Sequence, residues 1–492
     1  MTETAKKKRG MPSSFTILLA LLAIVAVITV IVSGTSGGEV TAARLSDFCT
    51  APVKGFADAL PVCLFVMILG GFLGMMTETG ALDNGIAVLV QKLKGNEIML
   101  VPVLMLIFSL GGTTYGMCEE TVPFYALLAA TMMAAGFDPM VGAATVLLGA
   151  GCGCLGSTVN PFAVGAAVDA LTGVDIAVNQ SIIIGLGGVL WLVTTVMSIV
   201  FVMNYAKKVK ADKGSTILSM QELEDAEAAH GKAASEVNKE VKLTGRQKGV
   251  LIAFAFTFVV MIVGFIPLAD LNEGVANFFD AGAVYDADGN TVVQGWSALI
   301  TGLPIGQWYF DEASTWFFLM AILIGIIGGL SEKQIVNTFI TGAADMMSVV
   351  LVIALARGIS VLMANTGLDV YVLDAAANAL AGLSGVIFAP MSFLVYFGLS
   401  FLIPSTSGMA TVSMPIMGPL AVKLGFSPEV MVMIFSAAIG VVNLFTPTSG
   451  AIMGGLALAK IEWTTWLKFA LKLIVALSVV CAVILTVACV ML

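Results

Sequence analysis

Two runs of hydroxyl and glycine residues interrupt long apolar stretches at corresponding places in the two halves of the chain. They consist of Thr113, Thr114 and Gly116 in the first half and Ser405, Thr406, Ser407 and Gly408 in the second. A helix that begins at such a break presents free amide groups and a partial positive charge, which suit an anionic group. The end of the preceding helix presents carbonyl groups, which suit Na⁺. Small hydroxyl residues also occur where membrane helices simply pack closely, but two clusters at matching positions favour a binding site.

A second pair of polar breaks follows, each at a proline inside an apolar stretch. Proline removes a backbone hydrogen bond and clashes with the preceding turn, so the helix must open there. Neighbouring amide and hydroxyl side chains can cap the freed groups or bind a ligand, whereas the simpler alternative is a plain proline kink. The candidates are Ser157, Thr158, Asn160 and Pro161 in one half and Asn443, Thr446, Pro447, Thr448 and Ser449 in the other.

An ionisable side chain inside an apolar stretch is costly and marks a candidate functional site, and the candidates here are Glu119, Glu120 and Arg357. Glu119 and Glu120 directly follow the first break, and neighbours on a helix point to opposite sides, so we expect only one of them to face a cavity. That carboxylate can bind Na⁺, carry a proton or hold a cationic part of a substrate; alternatively, water at the cytoplasmic mouth of the hairpin solvates both. Arg357 can pair with a substrate carboxylate or with a structural acid.

The lengths of the apolar stretches predict an all-α polytopic membrane protein. Apolar residues make up 59% of the chain and charged residues only 11%, and about 20 apolar residues span a bilayer core. Two further stretches, 97–135 and 385–423, have their polar break near the middle, so each predicts a re-entrant helical hairpin. We expect spans near 13–33, 60–80, 140–172, 181–203, 248–268, 315–331, 338–363, 429–459 and 466–490, of which 140–172 and 429–459 are discontinuous.

Charge in the loops predicts the orientation of these spans. Basic residues occupy 6–9 and recur through 206–248, whereas residues 269–314 contain no Lys or Arg. By the positive-inside rule the N-terminus and the 206–248 loop are cytoplasmic. Nine crossings then put the C-terminus outside, and the two hairpins enter from opposite sides, which makes the halves inverted repeats. Short amphipathic segments at 81–95 and 368–382 would lie along the interfaces.

The predicted organisation has four parts, with the polar loop between the repeats read as a solvated helix near 221–227. His230 also lies in that loop, where a solvated surface position is expected. The parts are an N-terminal tail with the first helix (1–40), repeat 1 with its hairpin and broken helix (41–205), a cytoplasmic linker (206–247), and repeat 2 with the extracellular loop 269–314 and its own hairpin and broken helix (248–492).

Composition and motifs exclude several other classes of protein. No basic stripe with interleaved aromatics exists, so nucleic-acid binding has no support. Seven scattered cysteines, of which only Cys49 lies clearly in a loop, offer no disulfide framework. A single histidine leaves little basis for an enzyme or a structural metal site. No P-loop occurs, so self-contained ATP-driven transport is not expected.

Motifs at the breaks are similar to those of a known family. They are Gly116-Met117-Cys118-Glu119-Glu120-Thr121-Val122-Pro123-Phe124-Tyr125, Asn160-Pro161-Phe162 and Pro404-Ser405-Thr406-Ser407-Gly408. These residues resemble the YfcC family, which is grouped with anaerobic C4-dicarboxylate carriers of the DcuC type in the ion transporter superfamily. Across essentially the whole chain, the resemblance implies an inverted repeat with two re-entrant hairpins, elevator-type alternating access and a homodimer.

Family members are assigned to dicarboxylates or, in streptococcal-type ArcD proteins, to arginine–ornithine exchange. The related sodium–dicarboxylate symporters carry Ser-Asn-Thr at both hairpin tips, where this chain has Thr113-Thr114-Tyr115 and Ser405-Thr406-Ser407.

The function predicted from these features is secondary active transport of a small charged metabolite across the inner (plasma) membrane. The acidic pair favours a substrate with a cationic part, and the hairpin amides and Arg357 favour a carboxylate. An amino acid, such as a basic one, satisfies both and ranks above a C4-dicarboxylate. An ion channel is the alternative from another class. The expected coupling ion is Na⁺ or H⁺, with no other cofactor, and the expected partners are lipid, the substrate and a second copy of the chain.

Overall fold

The computed structural model describes residues 14–82, 84–85, 88, 96–236, 242–266, 268–271, 273–286, 291–403 and 405–492. Nearly all regular structure in this part of the chain is helical. Up to the linker the helices are α1 (Ser14–Ser33), α2 (Leu45–Asp58), α3 (Leu60–Glu78), α4 (Leu100–Tyr115), α5 (Val122–Ala134), α6 (Pro139–Leu155), α7 (Ala166–Thr172), α8 (Gln180–Ala211) and α9 (Met220–Glu236). Short helical turns add Glu97–Met99, Glu119–Thr121, Pro161–Gly165 and Lys213–Ser215.

The remainder of the chain repeats most of that order. Its elements are α10 (Gly245–Phe265), α11 (Leu268–Leu271), α12 (Glu273–Phe279), β1 (Val284–Tyr285), β2 (Thr291–Val293), α13 (Phe310–Gly328), α14 (Glu332–Asp345), α15 (Met347–Thr366), α16 (Leu368–Leu380), α17 (Gly385–Leu402), α18 (Thr406–Lys423), α19 (Pro428–Val442), α20 (Gly450–Leu458) and α21 (Trp463–Met491).

Eight described helices are long and apolar enough to cross a membrane. Seven of them coincide with predicted spans, and the eighth, Glu97–Tyr115, is the first arm of the first hairpin. The remaining two predicted spans are the broken helices α6–α7 and α19–α20. One boundary was wrong: the span predicted at 338–363 extends over α14 and α15, which meet at Met346.

The two halves contain the same series of elements in the same order. Each half has a jointed helix (α2–α3 or α14–α15), a hairpin (α4–α5 or α17–α18), a broken helix (α6–α7 or α19–α20) and a long final helix (α8 or α21). The first part of each jointed helix packs on the second part of the other, so the two run antiparallel. The fold class predicted from the sequence, an inverted repeat with two hairpins and two discontinuous helices, is therefore confirmed.

Glycines let the two jointed helices cross at backbone contact. A Cβ atom on Gly55 of α2 would lie 2.3 Å from the Ala354 carbonyl oxygen of α15, and one on Gly342 of α14 would lie 2.4 Å from the Gly70 carbonyl oxygen of α3. Both glycines belong to the same motif, Gly-x-x-Asp, which ends the first part of each jointed helix. The crossing therefore requires glycine at both equivalent positions.

The hairpins and broken helices of the two halves pack into one another. In each half the first hairpin arm packs on the first part of its own broken helix (α4 on α6, α17 on α19). The second part of each broken helix instead packs on the hairpin of the other half, α7 on α18 and α20 on α5. This exchange brings all four breaks towards the centre of the molecule.

The linker between the halves is docked on the hairpin and broken-helix assembly, which corrects the prediction of a solvated segment. Helix α9 packs on α5. Its Glu222 accepts the Glu462 amide at 2.9 Å, and His230, only 9% exposed, places Nε2 3.1 Å from the Leu458 carbonyl oxygen. The surface position expected for His230 was therefore wrong, because a buried imidazole serves as the donor for a carbonyl at the end of α20.

A buried carboxylate anchors the beginning of the linker. Asp138 Oδ1 caps α6 by accepting the Val141 amide at 3.1 Å. Its Oδ2 accepts the Tyr205 hydroxyl at 2.6 Å and the Thr216 hydroxyl at 2.7 Å. One side chain thus joins the turn after the first hairpin, the end of α8 and the start of the linker.

Several smaller expectations need correction or lie outside the described residues. Cys49 belongs to α2 and not to a loop, and the seven cysteines are free thiols. Most of the interfacial segment 81–95 lies outside the described residues, whereas its counterpart forms α16. The two-stranded antiparallel ribbon β1–β2 within 269–314 was not predicted.

Docking of the linker should weaken in acid. Burial lowers the pKa of His230 from its ordinary value of 6.5. Because the pKa of His230 is lower in the docked state than in the released state, protonation favours release. Docking is therefore favoured above pH 6.5 and weakens as the pH falls below about 6.5. We expect the protection factors of the α9 amides, which correct for the slower intrinsic exchange in acid, to fall between pH 7.5 and 5.5. His230→Gln keeps an N–H donor without titrating, so its pH dependence should be flatter; identical profiles would contradict this role.

Candidate functional site

A cavity of about 480 Å³ lies where the breaks of the two halves meet, and it is called the first cavity below. Both hairpin tips, both breaks of the discontinuous helices, and the jointed helices α2–α3 and α15 form its walls. Cavities of this size hold small-molecule ligands, with a few polar groups that set orientation.

The tip of the first hairpin is shaped by Gly116. This residue ends α4 with φ of 80°, a left-handed conformation that glycine adopts without strain. A Cβ atom there would lie 2.5 Å from Asn160 Oδ1. Glycine therefore allows the tip to touch the break of the neighbouring helix, after which the chain turns through Glu119–Thr121 into α5.

The break of the first discontinuous helix is held by its own side chains and by the hairpin. Asn160 Oδ1 accepts the amides of Phe162 at 2.9 Å and Ala163 at 3.3 Å, which caps the next helical segment. The Thr113 carbonyl accepts the Thr158 amide at 2.9 Å, and the Thr113 hydroxyl donates to the Gly156 carbonyl at 2.6 Å. Backbone groups left free at one break thus pair with those at the other.

In the second half the groups freed at the breaks are paired in a different way, and one side-chain oxygen stays unpaired. Ser405 Oγ caps α18 by accepting the Gly408 amide at 3.1 Å. Two indoles of α21 donate to the freed carbonyls of Leu444 and Phe445, at 2.8 and 2.7 Å. Asn443 Oδ1 is buried and has no hydrogen-bond partner among the described residues. Asn443 also lines the first cavity, so this buried oxygen is a candidate acceptor for a ligand.

Twelve of the predicted site residues line the first cavity: Gly116, Glu119, Glu120, Asn160, Pro161, Arg357, Ser405, Thr406, Ser407, Asn443, Thr448 and Ser449.

The other seven predicted site residues do not line the first cavity. The Ser157 hydroxyl accepts the Asn160 side-chain amide at 2.9 Å, and the Thr114 hydroxyl donates to the Leu110 carbonyl at 2.6 Å. The Thr446 hydroxyl bonds that of Thr448 at 2.7 Å. Pro447 lines a separate apolar cavity beside α1. With Thr113, Thr158 and Gly408, these side chains and backbone groups support the breaks.

Both acidic residues of the first half line the first cavity, so the expectation of only one was wrong. That expectation assumed a helix, whereas Glu119 and Glu120 lie in a tight 3₁₀ turn. Their environments differ. Glu120 is 1% exposed and its Oε2 accepts the Cys118 amide at 2.9 Å, whereas Glu119 is only half-buried. Glu120 therefore stabilises the tip, and Glu119 is the carboxylate open to a ligand.

The single arginine of the cavity is paired with an acid that the sequence reasoning missed. Arg357 Nε lies 3.0 Å from Asp58 Oδ2, and both residues line the first cavity. A second missed acid, Asp169 of α7, lines it as well. The Gly-x-x-Asp motif shared by the two halves is a signal that would have pointed to Asp58.

An aromatic wall was also missed. Phe162, next to the break of the first discontinuous helix, stacks on Phe310 at the start of α13, with 5.4 Å between ring centroids. Tyr309 packs edge-on against Phe162 at 6.1 Å. All three line the first cavity and join the broken helix to α13.

Re-entrant hairpins and broken helices around an internal cavity define a membrane transporter of the inverted-repeat class. A family model, the C4-dicarboxylate anaerobic carrier (DcuC), matches residues 39–490, and the chain belongs to that family. The resemblance noted from the motifs is thereby confirmed, as is the prediction that the protein is a transporter and not an enzyme.

Two relatives with curated descriptions are more than a quarter identical to the chain over the aligned residues. An uncharacterized protein of Haemophilus influenzae is 29% identical over 443 residues, covering 90% of this chain and 78% of that protein. The putative basic amino acid antiporter YfcC of Escherichia coli is 27% identical over 440 residues, covering 87% of this chain and 77% of that protein.

Two solved transporter structures are similar over almost their whole length. MtrF of Neisseria gonorrhoeae, described as an antimetabolite efflux pump, has a TM-score of 0.43 at 17% identity, covering 98% of this chain and 96% of that chain. The YdaH transporter of Alcanivorax borkumensis has a TM-score of 0.45 at 16% identity, covering 97% of this chain and 98% of that chain.

The hydrogen bond between Glu120 and the Cys118 amide predicts different thermal stabilities for two variants of Glu120. Glu120→Ala leaves that buried amide without its acceptor, which costs about 1–3 kcal/mol, so the thermal unfolding temperature in detergent should fall. Glu120→Gln retains an acceptor oxygen and should unfold closer to the wild type. Equal unfolding temperatures for Glu120→Ala and wild type would show that the bond does not stabilise the tip.

Proposed function

We propose that the protein is a secondary active transporter for an amino acid that carries an additional cationic group. The observation that carries this proposal is the charge of the first cavity. Four carboxylates line it, from Asp58, Glu119, Glu120 and Asp169, against the one guanidinium of Arg357. Arg357 forms an ion pair with Asp58, and within the described residues none of the other three acids of the lining forms an ion pair.

Electrostatics favours a cationic solute in such a site. Charges interact more strongly away from bulk water, and an acidic cleft with low-dielectric walls concentrates cations. The half-buried carboxylate of Glu119 suits an ammonium or guanidinium group. The guanidinium of Arg357, the amides at the start of α18 and the cavity hydroxyls suit the α-carboxylate of the same molecule. Similarity to a putative basic amino acid antiporter supports the same substrate class.

A C4-dicarboxylate is the second candidate. It is favoured by the family description and by Arg357, which can bind a carboxylate in a bidentate manner. Two further carboxylates would, however, enter a cavity already rich in them, and like charges repel at short range in a weakly screened site. An amino acid with one carboxylate and two cationic groups avoids that repulsion.

Exchange or symport would restore the charge balance of the site after the substrate leaves. When the substrate leaves, a second substrate, a proton or Na⁺ must compensate Glu119 before the site can reorient. The unpartnered Asn443 oxygen and the hydroxyls near it are ligands that Na⁺ accepts. Bilayer contact through the exposed apolar faces of the long helices, and a homodimeric assembly, complete the proposal.

Transport by purified protein in proteoliposomes tests the substrate class. We expect saturable uptake of labelled arginine, lysine or ornithine that requires an ion gradient or an internal counter-substrate, and little uptake of succinate or fumarate. Saturable dicarboxylate uptake without uptake of the cationic amino acids would favour the second candidate. Equal, non-saturating flux of all of them would contradict a transporter.

Glu119→Gln removes one charge from the cavity with little change of shape. Loss of a charged hydrogen bond costs about 1.5–3 kcal/mol, so the apparent affinity for a cationic amino acid should fall by about ten-fold or more. Asp175→Asn is the matched control, because Asp175 is exposed and does not line the cavity. Wild-type affinity in Glu119→Gln would remove this residue from the substrate site.

A further inference from the structure

A second cavity of about 520 Å³ lies on the other side of the first hairpin. One face of α5, formed by Pro123, Ala126, Leu127, Ala130 and Thr131, lines this second cavity, whereas the tip of the same hairpin lines the first. The first hairpin is therefore the wall between the two cavities. The opposite wall of the second cavity consists of residues from α3 and α14.

Segments that are predicted to lie on opposite sides of the membrane line the two cavities. The first is lined by Tyr309 and Phe310, which end the segment without basic residues that is predicted to be extracellular. The second is lined by His230 of the docked linker and by Leu458, to which His230 is bonded, and the linker is predicted to be cytoplasmic. The second cavity thus faces the side on which the first hairpin enters.

The internal repeat relates the cavities to each other through their acidic residues. Asp58 ends α2 and Asp345 ends α14, each at the joint of its jointed helix and each within the shared Gly-x-x-Asp motif. Both lie 21 residues before a Thr-Gly pair that ends the second part, at Thr79 and Thr366. Asp58 lines the first cavity and Asp345 lines the second. Each cavity therefore receives the same carboxylate from an equivalent position.

The two halves differ in the residue that pairs with this aspartate. Arg357, which lies 12 residues after Asp345, pairs with Asp58. The residue 12 positions after Asp58 is Gly70, which lines the second cavity and offers no charge. Within the described ranges Asp345 is exposed and forms no ion pair. Glu78 adds a further exposed carboxylate to the second cavity.

We propose that the second cavity is the cytoplasmic access route to the same transport site, and that Asp345 is the residue that favours cationic substrates there. This inference rests on the proposed function for the nature of the substrate, but not for the route. When the first hairpin moves relative to α3 and α14, Glu119 and its solute pass from the cavity with Asp58 to the cavity with Asp345. Asp58 is paired with Arg357, whereas Asp345 forms no ion pair within the described ranges. Asp345 therefore offers its cavity an uncompensated charge that attracts a cation, which Asp58 does not.

Sided chemical labelling tests the route independently of the substrate. Thr341→Cys places a thiol in the second cavity and Ala166→Cys places one in the first. With a membrane-impermeant methanethiosulfonate reagent, labelling above the wild-type background should be faster for Thr341→Cys in inside-out vesicles and faster for Ala166→Cys in right-side-out vesicles. Labelling of both from the same side, or no labelling of Thr341→Cys from either, would overturn the route.

The role of Asp345 is tested by kinetics measured from each face. We expect Asp345→Asn to raise the KM for lysine about two- to five-fold in inside-out vesicles, the range for one exposed charge interaction, and to leave the KM in right-side-out vesicles unchanged. Glu332→Gln, on the same helix but outside both linings, is the control. An equal change from both faces, or none, would refute the assignment. If the wild type transports no cationic amino acid, the proposed substrate fails while the labelling still decides the route.

Discussion

When a helix breaks inside a bilayer, it leaves backbone N–H and C=O groups without partners. These groups must pair with other parts of the protein or with a ligand. In this chain the breaks supply each other: the Thr113 carbonyl accepts the amide of Thr158, and indoles of α21 donate to the carbonyls of Leu444 and Phe445. These bonds are made within each half, and the packing of α7 and α20 on the hairpin of the other half then brings the breaks of both halves together. Asn443, whose Oδ1 has no hydrogen-bond partner among the described residues, lines the first cavity. The position of the cavity is thus a consequence of where the breaks find their partners.

The charged residues of the cavity do not follow the symmetry of the repeat. The repeat supplies similar backbone and hydroxyl groups from both halves, whereas the acids Glu119 and Glu120 come from one half and Arg357 from the other. The jointed helices add Asp58 to one cavity and Asp345 to the other. The acids and the arginine thus break the symmetry of the repeat, whereas the joint of each jointed helix supplies an equivalent aspartate to each cavity.

Much of the architecture could be predicted from the sequence because membrane spans and proline or glycine breaks depend on local composition. Both hairpins, both broken helices and twelve residues of the lining were obtained that way. Contacts between segments that are distant in the sequence could not be predicted. His230 looked solvated because nothing near it in sequence indicates the Leu458 carbonyl. Glu119 and Glu120 were assigned to a helix, and the tight turn that directs both into the cavity depends on the glycine tip. Asp58 was missed because its partner, Arg357, lies in the other half.

A cryo-electron microscopy structure of the protein in lipid nanodiscs with saturating lysine tests the central claim most directly. We predict density for the amino acid between the two hairpin tips, with its side-chain ammonium beside Glu119 and its carboxylate towards Arg357 or the Ser405–Ser407 tip. Continuous helices through residues 116–118 and 443–449, or lysine bound away from both tips, would contradict the account.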